Sequence, residues 1–182
     1  MRLWRVYPAG NPAERAEGGP LWFPRQYQGD GRHDNPDLYG ALYLTTMALT
    51  AVVEALAPFR GTGPLEPGLL RRMGRSLALA EIELADRVTI IDLDEPSTLV
   101  DEGLRPSQVA TRRREITQAQ AASLFRRHTE AGGLGWWSTQ EATWAERTLF
   151  DRAALQLAVV SITPLDMDMA AVIEAAAFLG LS

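Results

Sequence analysis

The chain has no cysteine and no lysine, so all 18 of its Lys-plus-Arg positions are arginine. Without thiols there is no disulfide framework, no thiolate nucleophile and no cysteine-held zinc or iron–sulfur site. Without lysine there is no Schiff base and no phosphate-loop ammonium, and any clamp on an anion must be guanidinium. A compositional bias toward Ala, Leu and Arg is the simplest account of the missing lysine. Histidine is scarce as well, with His33 and His128 the two imidazoles. That is too few for a multi-histidine centre; carboxylates leave room for magnesium or calcium, but no tightly bound metal is expected. Long apolar runs are also lacking. Residues 155–162 are too few to span a bilayer and residues 169–181 carry Glu174, so no membrane segment is expected. Arg2 and Arg5 interrupt the start and no apolar stretch follows, which gives an expectation of no secretory leader and a cytoplasmic protein. The formal charge of −5 and pI near 5.1 speak against direct nucleic-acid binding, since phosphate contacts need a basic face. Arg112, Arg113 and Arg114 form a triplet too short to change that reading.

What remains is ordinary for one globular domain, and 182 residues are enough to bury a core, so a single domain over 1–182 is expected. Residues 3–7 alternate as a first strand that sets Arg5 opposite Trp4 and Val6. Gly, Pro, Asn and Asp recur from Pro8 to Pro36, with Trp22, Phe23 and Tyr27 among them, which reads as a long ordered loop held down by aromatics. Residues 38–44 read as a strand, followed by a helix capped by Thr45 or Thr46 and ending before Pro58. Strands are expected at 76–85 and 88–93, a short helix at 97–102, and a longer helix over 118–130, capped by Thr117 and stopped by Gly132 and Gly133. Residues 134–138 have strand character, Glu141, Glu146 and Arg147 fall on a helix as surface charges, residues 155–162 form a buried strand, and 168–179 a C-terminal helix. The interspersed but irregular spacing predicts mixed α+β, with central strands flanked by helices, rather than regular βαβ units.

Glu54 is the outstanding residue. It lies within Met47-Ala48-Leu49-Thr50-Ala51-Val52-Val53-Glu54-Ala55-Leu56-Ala57, where a buried carboxylate must protonate or find a cation. Arg32, in Gly29-Asp30-Gly31-Arg32-His33-Asp34-Asn35-Pro36, is a candidate partner, and Ser138 sits at an element boundary where a hydroxyl can face a cleft. The simpler alternatives are a salt bridge at a helix edge for Glu54, a strand residue paired with a surface carboxylate for Arg5, a core aromatic for Tyr43 and a turn residue for Ser138. His33 beside Asp34 offers no useful dyad, because adjacent side chains rarely face one another. Trp136, Trp137 and Trp144 read as core or rim packing.

Taken in order, Trp4-Arg5, Gly31-Arg32-His33-Asp34-Asn35-Pro36, Leu42-Tyr43-Leu44, Ala51-Val52-Val53-Glu54, the stretch from Ala80 to Asp86 with Ile90-Ile91-Asp92-Leu93, the Gln118 to Phe125 helix and Trp136-Trp137-Ser138 resemble the RES domain family, named for its Arg, Glu and Ser. The chain departs from the family pattern in having His33 where Trp is usual, an extra residue before Pro36, and the Trp136-Trp137 pair. The resemblance implies a fold related to ADP-ribosyltransferases and the toxin of a type II toxin–antitoxin module. It implies NAD as a substrate rather than a resident cofactor, and cleavage of the nicotinamide–ribose bond with water or phosphate as acceptor. The expected partner is a cognate antitoxin with a DNA-binding domain, and the apolar C-terminal segments allow a homodimer. By position, Glu54 would stabilise the oxocarbenium-like state and Arg32 would act with it, while Arg5, Tyr43 and Ser138 would bind substrate, with no metal. The same resemblance leaves room for protein ADP-ribosyl transfer and for a non-catalytic nucleotide-binding module.

Overall fold

The computed structural model describes residues 1–181. In chain order the strands are β1 (Arg2–Pro8), β2 (Ala41–Thr45), β3 (Arg71–Arg72), β4 (Arg75–Leu84), β5 (Thr89–Asp92), β6 (Ala131–Trp137), β7 (Ala145–Phe150) and β8 (Leu157–Pro164). The helices are α1 (Ala48–Leu56), α2 (Pro96–Asp101), α3 (Pro106–Val109), α4 (Arg114–Arg127) and α5 (Ala170–Leu179). The chain divides into two compact units, each assembled from separate segments and each mixing strands with helices, so the α+β class holds.

The first unit takes Met1–Trp22, Thr45–Leu84 and the chain from Ala158 on. β1 and β4 pair antiparallel from Arg2↔Glu83 to Pro8↔Leu77, β3 continues the ladder at Arg71↔Ser76, and β8 also pairs with β4. Between β3 and β4 the chain turns on Met73 and Gly74, both at positive φ (51° and 77°), the pattern of a two-residue hairpin turn. The apolar positions of α1 pack against α5, β1 and β4, burying Thr50, Ala51, Val52, Val53 and Leu56. The core here is aliphatic, with Leu3, Leu56, Ile82 and Leu84 essentially inaccessible.

The second unit spans Phe23–Leu44 and Ala85–Leu157. Its strands run β2-β7-β6-β5, with β6 antiparallel to β7 and parallel to β5. Its core is partly aromatic: Tyr39 packs on Phe125 and Phe150 at ring-centroid distances of 4.6 and 4.5 Å, with Leu93, Leu124 and Leu134 around them. Arg152 lies 3.6 Å from the Phe125 ring centroid and donates to the carbonyls of Phe125, His128 and Thr129, satisfying acceptors that the end of α4 leaves open.

Several local expectations are corrected. Strand β2 begins at Ala41 rather than 38, because Asn35 and Tyr39 form an isolated bridge that closes the preceding turn. Thr45 belongs to that strand and Met47 flanks α1, with no side-chain cap. α4 begins at Arg114, and Thr117 lies inside it with its hydroxyl donating to the Arg32 carbonyl at 2.6 Å. Gly132 and Gly133 are strand residues of β6. A Cβ on Gly133 would stand 2.5 Å from the Thr148 carbonyl oxygen and one on Gly132 would meet the Val88 side chain, so close packing, not helix termination, explains the pair. Glu146 and Arg147 lie on β7 instead of a helix, and Glu146 is buried rather than a surface charge. The strand expected at 155–162 forms as β8 but is exposed from Val160 on, since β4 is the neighbour it pairs with among the described residues. Within the long loop Trp22 and Phe23 are half-buried and Leu21 fully buried, whereas Tyr27 is exposed.

Candidate functional site

The five residues singled out by sequence fall into both units. Arg5 and Glu54 belong to the first, and Arg32, Tyr43 and Ser138 to the second.

In the first unit, Glu54 is half-buried on α1, at the border of the buried stripe rather than within it. Arg5 on β1 donates one guanidinium nitrogen to the carbonyls of Pro20 and Trp22 at 2.9 and 3.3 Å. Burial brings its pKa down to about 10, so it stays charged at neutral pH. Its hydrogen-bond partners are backbone carbonyls, which orient the fork without neutralising it.

The second unit concentrates polar groups around Arg32 and His33. Arg32 is 5% exposed. One of its nitrogens donates to the carbonyls of Val109 and Thr111 at 2.9 and 2.8 Å, and its guanidinium carbon lies 4.8 Å from the Trp136 ring centroid. The loop that delivers it is fastened by Asp34: one carboxylate oxygen accepts from the amides of Gly29 and Gly31 at 2.9 and 2.7 Å, the other from the Tyr43 hydroxyl at 2.7 Å. The Tyr43 oxygen in turn accepts from the His33 amide at 2.9 Å. Burial and the Asp34 charge push the Tyr43 phenol well above its usual range, so it remains a neutral donor that braces the loop.

His33 is almost inaccessible and meets Trp136 edge to face, with ring centroids 5.2 Å apart at 83°. Its Nδ1 is 2.8 Å from the Thr148 hydroxyl, which also accepts the Trp136 indole N–H at 3.1 Å. Burial first, then the charges of Arg32 and Arg114, lower the His33 pKa to about 3, so the imidazole is neutral at physiological pH. Arg114, at the start of α4, reaches back to donate to the Asp30 carbonyl. Ser138 closes the end of β6: its Oγ accepts from the Gln140 amide at 3.0 Å and its own amide donates to Trp144 O at 2.8 Å. The structure thus braces the loop of Arg32 with Tyr43 of β2 and sets Ser138 two residues beyond Trp136.

Thr148, which the sequence does not single out, and Glu146, expected on a helix surface but found on β7, belong to this region. In the β6–β7 ladder Trp136 is paired with Glu146 and Leu134 with Thr148, so Trp136, Glu146 and Thr148 share one face of the sheet. Glu146 is a carboxylate 5% exposed on that face. On the opposite face Arg147 approaches Asp92 at 3.5 Å, directly over Gly135, where a Cβ would meet Asp92 Oδ1 at 2.7 Å. The available signal was the two-residue spacing of Glu146, Thr148 and Phe150, a strand period hidden by the charge of Arg147. Among the described residues no group of three or more His, Asp or Glu is placed to hold a metal, and no helix is long and apolar enough to cross a membrane.

A neutral imidazole, a buried guanidinium on an indole and a second arginine thus lie in one electropositive cluster. No family model matches the chain, and no curated protein does. Among solved structures, a chain in the crystal structure of the M. tuberculosis MbcT-MbcA toxin-antitoxin complex aligns with all of this chain and 88% of its own length, with a TM-score of 0.67 and 19% sequence identity. At that identity the likeness is one of fold.

Proposed function

We propose that this chain is an NAD-consuming enzyme acting as the toxin of a toxin–antitoxin pair. The observation that carries the reading is Arg32: a guanidinium buried against Trp136 and aimed by two carbonyls is pre-organised for phosphate oxygens and loses little freedom on binding. The fold likeness to a chain from a toxin–antitoxin complex supports the same reading and motivates a cognate antitoxin as partner.

In the proposed reaction the bond between C1′ of the nicotinamide ribose and the ring nitrogen breaks, and nicotinamide leaves as a neutral molecule with the bonding electron pair. The ribose passes through an oxocarbenium-like state, and an oxygen of water or phosphate forms the new bond to C1′, with water releasing its proton. Arg32, with Arg5 as a second guanidinium, is assigned to the pyrophosphate. A carboxylate stabilises the cationic sugar, and Glu54 is assigned to that task. Glu146, buried and on the same sheet face as Trp136, is the competing carboxylate.

The test is release of nicotinamide from NAD by purified protein, in water and with added phosphate. Arg32→Ala is expected to abolish saturable turnover. Glu54→Gln is expected to lower kcat by at least about a hundredfold, and an equal loss in Glu146→Gln with none in Glu54→Gln moves the assignment to Glu146. NAD carrying label in its ADP-ribose part separates hydrolysis or phosphorolysis from transfer to protein. No release under any of these conditions removes the enzymatic reading.

A further inference from the structure

The hydroxyl of Thr148 bears on which nitrogen of His33 carries the proton. An indole N–H can only donate, so Thr148 Oγ1 is the acceptor in its contact with Trp136 Nε1 at 3.1 Å. The residue is fully buried, and among the described residues the other partner of its hydroxyl is His33 Nδ1 at 2.8 Å. Sending the hydroxyl proton to the Nδ1 lone pair satisfies it, whereas accepting from an Nδ1–H as well would leave that proton buried without an acceptor. A neutral imidazole with a bare Nδ1 holds its hydrogen on Nε2. That Nε2–H makes no hydrogen bond within the described residues.

We infer that His33, through Nε2–H, is an uncharged donor to a phosphate oxygen of the bound ligand, with Thr148 as the positioning residue that sets the tautomer. The surroundings favour an anion as acceptor. Arg32 precedes it, and Arg114 on α4 is close enough to depress its protonation. Asp34 already has its two oxygens engaged by Gly29, Gly31 and Tyr43. Glu146 lies on the same sheet face, and Tyr43 binds the His33 amide. A fixed neutral donor beside two guanidinium groups adds direction without adding charge. The inference rests on the dinucleotide reading for the identity of the anion alone.

The test is a long-range proton–nitrogen correlation spectrum of the histidine-labelled full chain, in which the two imidazoles are assigned with His128→Gln. Free protein is expected to show His33 as the neutral Nε2–H tautomer from pH 8 down to pH 5. Inorganic pyrophosphate, and then ADP-ribose, are expected to shift its Nε2 signal, and His33→Phe to weaken ADP-ribose binding about tenfold. Thr148→Val, checked for folding by its amide spectrum, is expected to give mixed tautomers. A His33 that titrates near its ordinary value, carries its proton on Nδ1, or keeps Nε2 unmoved by saturating pyrophosphate overturns the inference, and an unchanged tautomer in folded Thr148→Val overturns the role of Thr148. The two readings fail separately. A pyrophosphate-induced shift without NAD turnover keeps the donor and removes the enzyme, whereas NAD turnover with Nε2 unmoved does the reverse.

Discussion

The two units solve the problem of burying a charge differently. In the first, Glu54 stays at the edge of an aliphatic helix face and Arg5 is oriented by two loop carbonyls. In the second, Arg32, His33, Asp34, Thr117 and Thr148 are all buried; Asp34 is met within its own neighbourhood by Gly29, Gly31 and Tyr43, and the others by partners from distant parts of the chain. The first arrangement depends on apolar area. The second depends on every hydrogen bond being made, since a half-satisfied buried network costs more than an apolar core.

That difference is open to attack, beginning where the expected effect is largest. His33 has a folded-state pKa of about 3 against an ordinary value near 6.5, so below pH 6.5 the unfolded chain takes up a proton that the folded chain refuses. The stability tied to its neutral form is complete above that pH and is lost progressively as pH falls toward 3, by a few kcal/mol. Urea unfolding midpoints between pH 4 and 7 should trace this loss, and His33→Phe should flatten it. Gly133→Ala comes next, because its Cβ would sit 2.5 Å from the Thr148 carbonyl oxygen. Backbone cannot swing aside as a side chain does, and a loss of about 3 kcal/mol is expected by denaturant titration.

Tyr43→Phe removes one oxygen that serves both Asp34 and the His33 amide. About 2 kcal/mol should be lost, with amide exchange accelerated at Gly29, Gly31 and His33. A negligible loss would mean that water takes over the phenol's role and that the network tolerates gaps. The smallest effect belongs to the first unit. Met73 is 94% exposed with φ at 51°, so Met73→Gly should raise the thermal midpoint slightly, by the equivalent of about 0.5 kcal/mol, because relief of the left-handed strain outweighs the added chain entropy.

The elements that could be read from the sequence are those whose pattern is local. The apolar pairs Leu77–Leu79 and Ile82–Leu84, each spaced by two, placed β4 within a residue of its bounds, and the apolar run around Val52 placed α1. Arg32 stood out as a loop guanidinium, but its holders, Val109 and Thr111, lie 77 and 79 residues on, and no spacing rule predicts such a contact. His33 was passed over because Asp34 was considered as its partner, whereas Thr148 is 115 residues away. Glu146 was misread because charges at 141, 146 and 147 imitate a solvated helix, and the tertiary pairing with β6 decided otherwise. β8 shows the converse. Its uncharged, β-branched composition looks buried, yet burial depends on neighbours, and β4 is the strand it has.

Arg152 has one more consequence. The last turn of α4 is closed by a side chain that lies 24 residues after His128, so while the chain is being made the helix has its whole sequence before it has its stop. Until Arg152 emerges, the carbonyls of Phe125, His128 and Thr129 have water in its place. A chain cut short of that point is expected to carry a frayed helix end.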